Sequence, residues 1–244
     1  YDSVLHVDQI DKCDILICDE AHRAAADSYA RSFSAIQSPL KRFGLTATAD
    51  GRYDKAEWMT EGLFGPVRVN IPYEDSVDSG SVLPIHILAV ENPYGPSPDL
   101  IDQCTQQVKK DRMALWRNSG RNNLIAQVTE TLRGKYNDPQ ALILVDKIEH
   151  ALVLKQLLPD YTLFHGDIDE ARVNKLSRQL GDVSGFLMSQ SDRARMLAKF
   201  ESGELRRVIG TAILGTGVSA NECQIVTIAS GTGATIQFRQ SIGR

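Results

Sequence analysis

The sequence predicts an α/β fold built from two successive parallel sheets. Three observations carry this expectation. Short apolar runs rich in β-branched residues recur along the chain and alternate with stretches of helical period. Several of these runs end abruptly in polar or glycine-rich residues, as a buried parallel strand does where its carboxyl end opens into a site. The spacing of strand, helix and strand is that of a βαβ unit, whose strands are parallel and whose crossover is right-handed.

Val4-Leu5-His6-Val7 reads as a short strand or turn, and residues 11–18 as the first main strand, apolar up to Cys18 and then Asp19-Glu20-Ala21-His22. Residues 21–36 have the apolar stripe of a helix, stopped by Ser38-Pro39. Residues 41–46 form the next strand, running into Thr46-Ala47-Thr48. A helix over 54–63 is broken by Gly65-Pro66, and Val67 to Ile71 alternates like a strand. The polar, acidic segment 74–81 marks a boundary, so the expected domains are 1–80 and 81–244. Val82 to Val90 reads as a strand with Pro84 near its start, and Asn92 to Pro98 as a stiff connection.

Helices are expected over 99–116 and 122–132, a strand over 141–145, a helix over 148–158 and a strand over 161–164 ending in His165-Gly166. A helix over 191–201, strands over 207–211 and 224–229, and a helix over 235–242 complete the second α/β run. Residues 168–187 intervene between His165-Gly166 and Gln190. A structureless loop of that length is uncommon, and residues 170–180 read as a helix whose Arg172, Lys175 and Arg178 form a solvated face ahead of the alternative, a contact with nucleic acid.

Hydrophobic residues make up 42% and charged residues 24% of the 244, which suits a globular protein with a real core. The net charge of −4 excludes an overall basic footprint for nucleic acid. The charge is uneven, however: residues 1–80 hold 8 Lys and Arg against 14 Asp and Glu, and residues 81–244 hold 19 against 17. Phosphate contacts are therefore expected in the later part. Cys13, Cys18, Cys104 and Cys223 form no Cys-x-x-Cys pair, which argues against zinc and fits a reducing cytoplasm. No signal peptide or bilayer-spanning run is visible, so no membrane partner is expected. The chain starts at Tyr1 close to a core strand and ends at Arg244 within an expected helix, so both ends read as cut.

The chemistry is concentrated at strand tips. Asp19, rigidly held at the end of a buried strand, can hold a hydrated Mg²⁺ beside a triphosphate, and Glu20 can polarise an attacking water. Thr46 and Thr48 put hydroxyls on the neighbouring tip, where they can bond those carboxylates. Gln190 and Arg193 open a helix whose amino terminus suits phosphate. Gly210 and Gly215 have the spacing of a phosphate loop, but Thr216 stands where the clamping Lys belongs.

In order, Asp19-Glu20-Ala21-His22, Gly44-Leu45-Thr46-Ala47-Thr48, Gln190 to Arg193, Thr211 to Ser219 and Gln240-Ser241-Ile242-Gly243-Arg244 resemble motifs II, III, IVa, V and VI of superfamily 2 helicases of the DEAH type. Leu63-Phe64-Gly65-Pro66, His165-Gly166 and Gly215 to Ser219 make the chain most similar to the phage UvsW-like branch.

The resemblance implies two RecA-like domains, the first truncated at its N-terminus and the second at its C-terminus, acting with ATP and Mg²⁺ on nucleic acid. DNA is expected ahead of RNA, with branched DNA, R-loops or recombination intermediates as substrates. Asp19 would organise Mg²⁺ through water and Glu20 would activate water. His22, Thr46 and Thr48 would couple the nucleotide to the second domain, with Gly217 and Ser219 near the nucleotide. Gln240 and Arg244 would reach it across an interdomain cleft. His165, Gly166, Gln190, Arg193 and Thr211 would meet the nucleic-acid backbone. Ser219 stands where many relatives have Asp, which weakens its contact. Motif I, with its phosphate loop, is absent from the sequence. Two other readings are a RecA-like nucleic-acid-binding module without ATPase activity and the motor of a restriction enzyme.

Overall fold

The computed structural model describes residues 14–25, 41–47, 57–95, 106–166, 168, 170–183, 185, 188–211 and 223–230. These fall into two compact units, one up to Ile87 and one from Leu88 onward. Both contain parallel sheet, as the sequence predicts.

In the first unit β1 (Ile15–Cys18) pairs in parallel with β2 (Lys41–Gly44), Ile15 opposite Lys41 and Cys18 opposite Gly44. The ladder continues past both strands: Leu45 N–H donates to the Cys18 carbonyl (2.9 Å), and Ala21 N–H donates to the Leu45 carbonyl (2.9 Å). One turn of 3₁₀ helix, Ala21–Ala25, follows β1, in place of the start of the expected helix over 21–36. The remainder of that segment lies outside the described residues.

β1 is not buried on both faces, contrary to the sequence expectation. Leu16 and Cys18 pack against Ala24, and against Leu63 and Phe64 of α1 (Glu57–Phe64). Ile15 and Ile17, which alternate to the other face, are 55% and 64% exposed because no described layer covers them. Gly44 permits the packed side: a Cβ there would stand 2.9 Å from Ala21 Cβ and 3.0 Å from Phe64 Cγ. Gly65, in the left-handed region at φ 84°, ends α1, and its N–H reaches back to the Glu61 carbonyl (2.7 Å).

Two expected strands are corrected. Residues 67–71 and 82–90 are irregular and largely exposed. Alternation prepares a segment for a sheet, but a strand also needs a partner for its backbone groups, and these segments have no ladder among the described residues. The acidic boundary segment contains a helical turn, α2 (Tyr73–Asp78), with Glu74 and Asp75 at its favourable amino end. Tyr73 Oη ties the following segment to it, donating to the Leu83 carbonyl (3.0 Å) and accepting from Ile85 N–H (2.8 Å).

The second unit starts, after residues outside the described set, with α3 (Gln107–Asp111), which runs into a π-helical turn, Arg112–Trp116. Next come α4 (Ser119–Lys135), β3 (Gln140–Leu144), α5 (Ile148–Leu157), β4 (Thr162–Phe164), α6 (Glu170–Leu180), α7 (Gln190–Glu201), β5 (Arg207–Gly210) and β6 (Cys223–Ile228). The strands form one parallel sheet in the order β4-β5-β3-β6. Period-two alternation on β3 sorts its neighbours. Ile143 joins Ile148, Leu152, Leu154, Val173 and Leu176 on the α5–α6 side, whereas Leu142 meets Phe200 of α7 on the other. Full burial of one such side chain stabilises the fold by about 1.5–3 kcal/mol.

Side-chain caps set two helix starts. Asn118 Oδ1 accepts from Arg121 N–H (2.9 Å) ahead of α4, and Ser189 Oγ accepts from Asp192 N–H (3.1 Å) ahead of α7. The expected helix over 235–242 lies outside the described residues.

Candidate functional site

The acidic tip of β1 is built by its own backbone. Glu20 sits in the left-handed region, φ 52°, where a non-glycine residue costs about 1–2 kcal/mol. Several bonds hold it there. Its N–H donates to Asp19 Oδ1 (2.8 Å), its carbonyl accepts from Arg23 N–H (2.9 Å), and the next N–H is tied to Leu45. The turn points the chain back over the sheet and buries His22, which is 7% exposed. His22 Nδ1 lies 2.9 Å from Thr46 Oγ1 and 3.4 Å from Glu20 Oε2. The two strand tips are therefore joined side chain to side chain, through the His22 ring. Thr48 lies outside the described residues.

Asp19 is exposed, and one of its oxygens is engaged by the Glu20 amide. An exposed carboxylate held in this way is a hard oxygen donor of the kind that fits a hydrated Mg²⁺. No cluster of three His, Cys, Asp or Glu side chains able to hold a metal occurs among the described residues.

In the second unit the expected nucleic-acid residues gather at the carboxyl edge of the sheet. Phe164 lies opposite Gly210, so His165-Gly166 and Thr211 follow neighbouring strand ends, and Thr211 N–H donates to the Phe164 carbonyl (3.1 Å). A crossover helix between parallel strands runs antiparallel to them, which brings the Gln190 end of α7 to this edge. Arg193, in the first turn, is largely buried.

His165 is 2% exposed. Its Nδ1–H donates to the Gly166 carbonyl (2.6 Å), and it lines a small apolar cavity with Ile148, Leu163, Ile168, Val173, Leu176 and Val183. Of the pair, it is half-buried Gly166 that reaches the surface. Gly217, Ser219, Gln240 and Arg244 lie outside the described residues.

The structure adds polar groups that sequence reading missed. Arg121 donates to the Ala229 carbonyl (2.6 Å) at the end of β6 and is drawn below its ordinary pKa by burial, with Asp146 opposing the shift. His150 Nε2–H donates to Asn122 Oδ1 (2.9 Å). Arg121 Nη1 stands 3.4 Å from that nitrogen, a donor facing a donor, and acts there as a neighbouring positive charge. Buried Glu149 accepts from Arg112 Nε (2.8 Å) and Arg117 Nε (2.6 Å). These residues are far apart in sequence and follow no motif, so only a hydrophilic residue on the apolar period of α5 could have signalled them.

Parallel sheets with polar residues at their carboxyl edges define an α/β protein. The family model described as the helicase conserved C-terminal domain matches residues 122–244, and the chain belongs to that family, within superfamily 2. A second model, described as the type III restriction enzyme res subunit, matches residues 3–51. No curated protein matches the chain.

Among solved structures, the helicase domain of Pyrococcus furiosus Hef is 12% identical with a TM-score of 0.47, covering 95% of this chain and 69% of that one. Mycobacterium smegmatis helicase Lhr, bound to ssDNA and AMP-PNP, is 15% identical with a TM-score of 0.45, covering 91% and 25%. The DUF1998 helicase MrfA, bound to DNA, is 14% identical with a TM-score of 0.49, covering 96% and 28%. The chain thus spans about a quarter of the length of the last two.

Proposed function

We propose that this chain is the motif II to motif VI portion of an ATP-dependent nucleic-acid helicase or translocase, acting on DNA. The observation that carries the reading is the joined pair of strand tips: Asp19 and Glu20 on one, Thr46 on the other, with His22 bonded between them. When bound, ATP·Mg²⁺ supplies a phosphoryl group whose transfer to water is eased by the metal's charge.

Asp19 would hold the hydrated cation through its carboxylate. The Glu20 carboxylate orients a water and draws on its proton, and the strained backbone at Glu20 keeps that carboxylate in place. His22 transmits a change at Glu20 to Thr46, and Thr48 shares that coupling role. Gly217, Ser219, Gln240 and Arg244 complete the nucleotide contacts, Arg244 by supplying positive charge to the γ-phosphate. Gly166, Thr211, Gln190 and Arg193 form the backbone track at the carboxyl edge, and His165 orders Gly166 from below. Branched DNA and recombination intermediates, the substrates of the UvsW-like branch, are the class of substrate proposed.

The test is ATP turnover by the protein that carries this chain, with and without DNA. Turnover is expected to rise on adding DNA, and Glu20→Gln is expected to lower it about 100-fold or more, the order of losing a general base. Undiminished turnover in that variant overturns the role of Glu20. The match of residues 3–51 to a restriction-enzyme subunit supports a second reading, the motor of such an enzyme. ATP-dependent DNA cleavage by the whole protein would favour it.

A further inference from the structure

We infer that the outer face of α6 is a contact for the phosphodiester backbone of nucleic acid, a site additional to the strand-edge track; this rests on the nucleic-acid reading above. α6 is seated by one face only. Val173 and Leu176 are buried in the core, Gln156 Nε2 donates to the Leu180 carbonyl (2.8 Å), and Arg117 Nη2 donates to Gln179 Oε1 (2.8 Å). With 100° per residue, Arg172, Lys175 and Arg178 fall within one arc of about 120°, Arg178 opposite the buried face and Arg172 on its flank, and all three are exposed. The arc contains no acid. Glu170, the one carboxylate of the helix, lies in its first turn on the flank.

A merely solvated helix face mixes both signs and pairs them at i,i+4. This one is of a single sign, and Lys175 and Arg178 have no ion pair among the described residues. Placement agrees with charge. Val173, Leu176 and Val183 line one small cavity together with His165, which places the segment beside the strand end that carries Gly166. The spacing i, i+3, i+6 sets the three cations along about 9 Å of helix axis, against about 3.4 Å per phosphate of one duplex strand. Lys175 and its two neighbours can therefore neutralise two or three successive phosphates. Single-sign charge on a rigid helix gives affinity without sequence preference.

The experiment is a titration of labelled duplex and single-stranded DNA oligonucleotides with the 244-residue chain over a range of KCl, read by fluorescence anisotropy. The triple variant Arg172→Gln, Lys175→Gln, Arg178→Gln is compared with a control lacking two exposed cations elsewhere, Lys109→Gln and Lys135→Gln. Each lost phosphate contact on duplex lowers the slope of log affinity against log salt by about 0.9. The triple variant is expected to lose about 2–3 from that slope and the control nothing. Equal slopes for triple variant and wild type, or an equal loss in the control, overturn the inference while leaving the nucleic-acid reading standing. If the wild-type chain binds neither oligonucleotide, both readings fall. Should the triple variant not fold, Lys175→Gln alone is expected to lower the slope by about 1.

Discussion

His22 has two polar neighbours around one ring nitrogen, Thr46 Oγ1 at 2.9 Å and Glu20 Oε2 at 3.4 Å. A bond between side chains 24 residues apart stabilises the pairing of two strand tips as well as relaying changes between them. A net contribution of about 0.5–1.5 kcal/mol is expected for one such hydrogen bond. A double-mutant cycle of His22→Ala and Thr46→Val should return a coupling of that size, read from the exchange protection of the Ala21 and Leu45 amides. Additive effects would mean that the bond does no work in the folded state. Glu20 illustrates a different residue-scale lesson. Its positive φ contradicts its preference and is tolerated because three backbone bonds over-determine the turn.

At the scale of elements, α7 shows how local chemistry positions a site. Ser189 caps it by accepting the Asp192 amide, and the Asp192 carboxylate accepts from the Ser189 hydroxyl (2.7 Å), holding that carboxyl below its usual range. Phe200 anchors the far end in the core. Ser189→Ala should lower stability by about 1 kcal/mol, the usual cost of a lost N-cap, seen as a lower urea midpoint with an unchanged slope. An unchanged midpoint would show that the cap contributes nothing to holding Gln190 and Arg193 at the sheet edge. By contrast, residues 67–71 and 82–90 have the alternation of strands and form none.

For the whole molecule, the buried His150 makes stability depend on pH. Burial, reinforced by the charge of Arg121, pushes its pKa down to about 3 from an ordinary value near 6.5. The folded pKa is depressed, so the unfolded chain binds the proton first. Stability is full above about pH 6.5 and is lost on acidification towards pH 3, by about 1.4 kcal/mol per pH unit at most. The urea midpoint should therefore fall between about pH 7 and about pH 5, a range where few carboxylates titrate. His150→Gln, which keeps a donor for Asn122, should flatten that fall. An equal fall in the variant would assign the effect to other groups.

The order of the strand tips, the βαβ spacing and the helix over 170–180 were legible in the residues because periodicity, caps and turn chemistry act over a few neighbours. Asp19, Glu20, His22 and Thr46 could be picked out for the same reason, since a polar break after an apolar run is a local signal. What covers each apolar face was not legible. Ile15 and Ile17 read as core and are exposed, because burial depends on whether another layer packs there. The bonds from Glu149 to Arg112 and Arg117, and the burial of His165 beneath α6, join residues from separate segments. By itself, then, the sequence determined the order of the motifs and of the parallel strands, through short-range chemistry, and left open whether an alternating segment such as 67–71 or 82–90 finds a partner. Only the tertiary structure decided which side chains meet and which apolar faces are covered, because those outcomes come from long-range packing that no local pattern encodes.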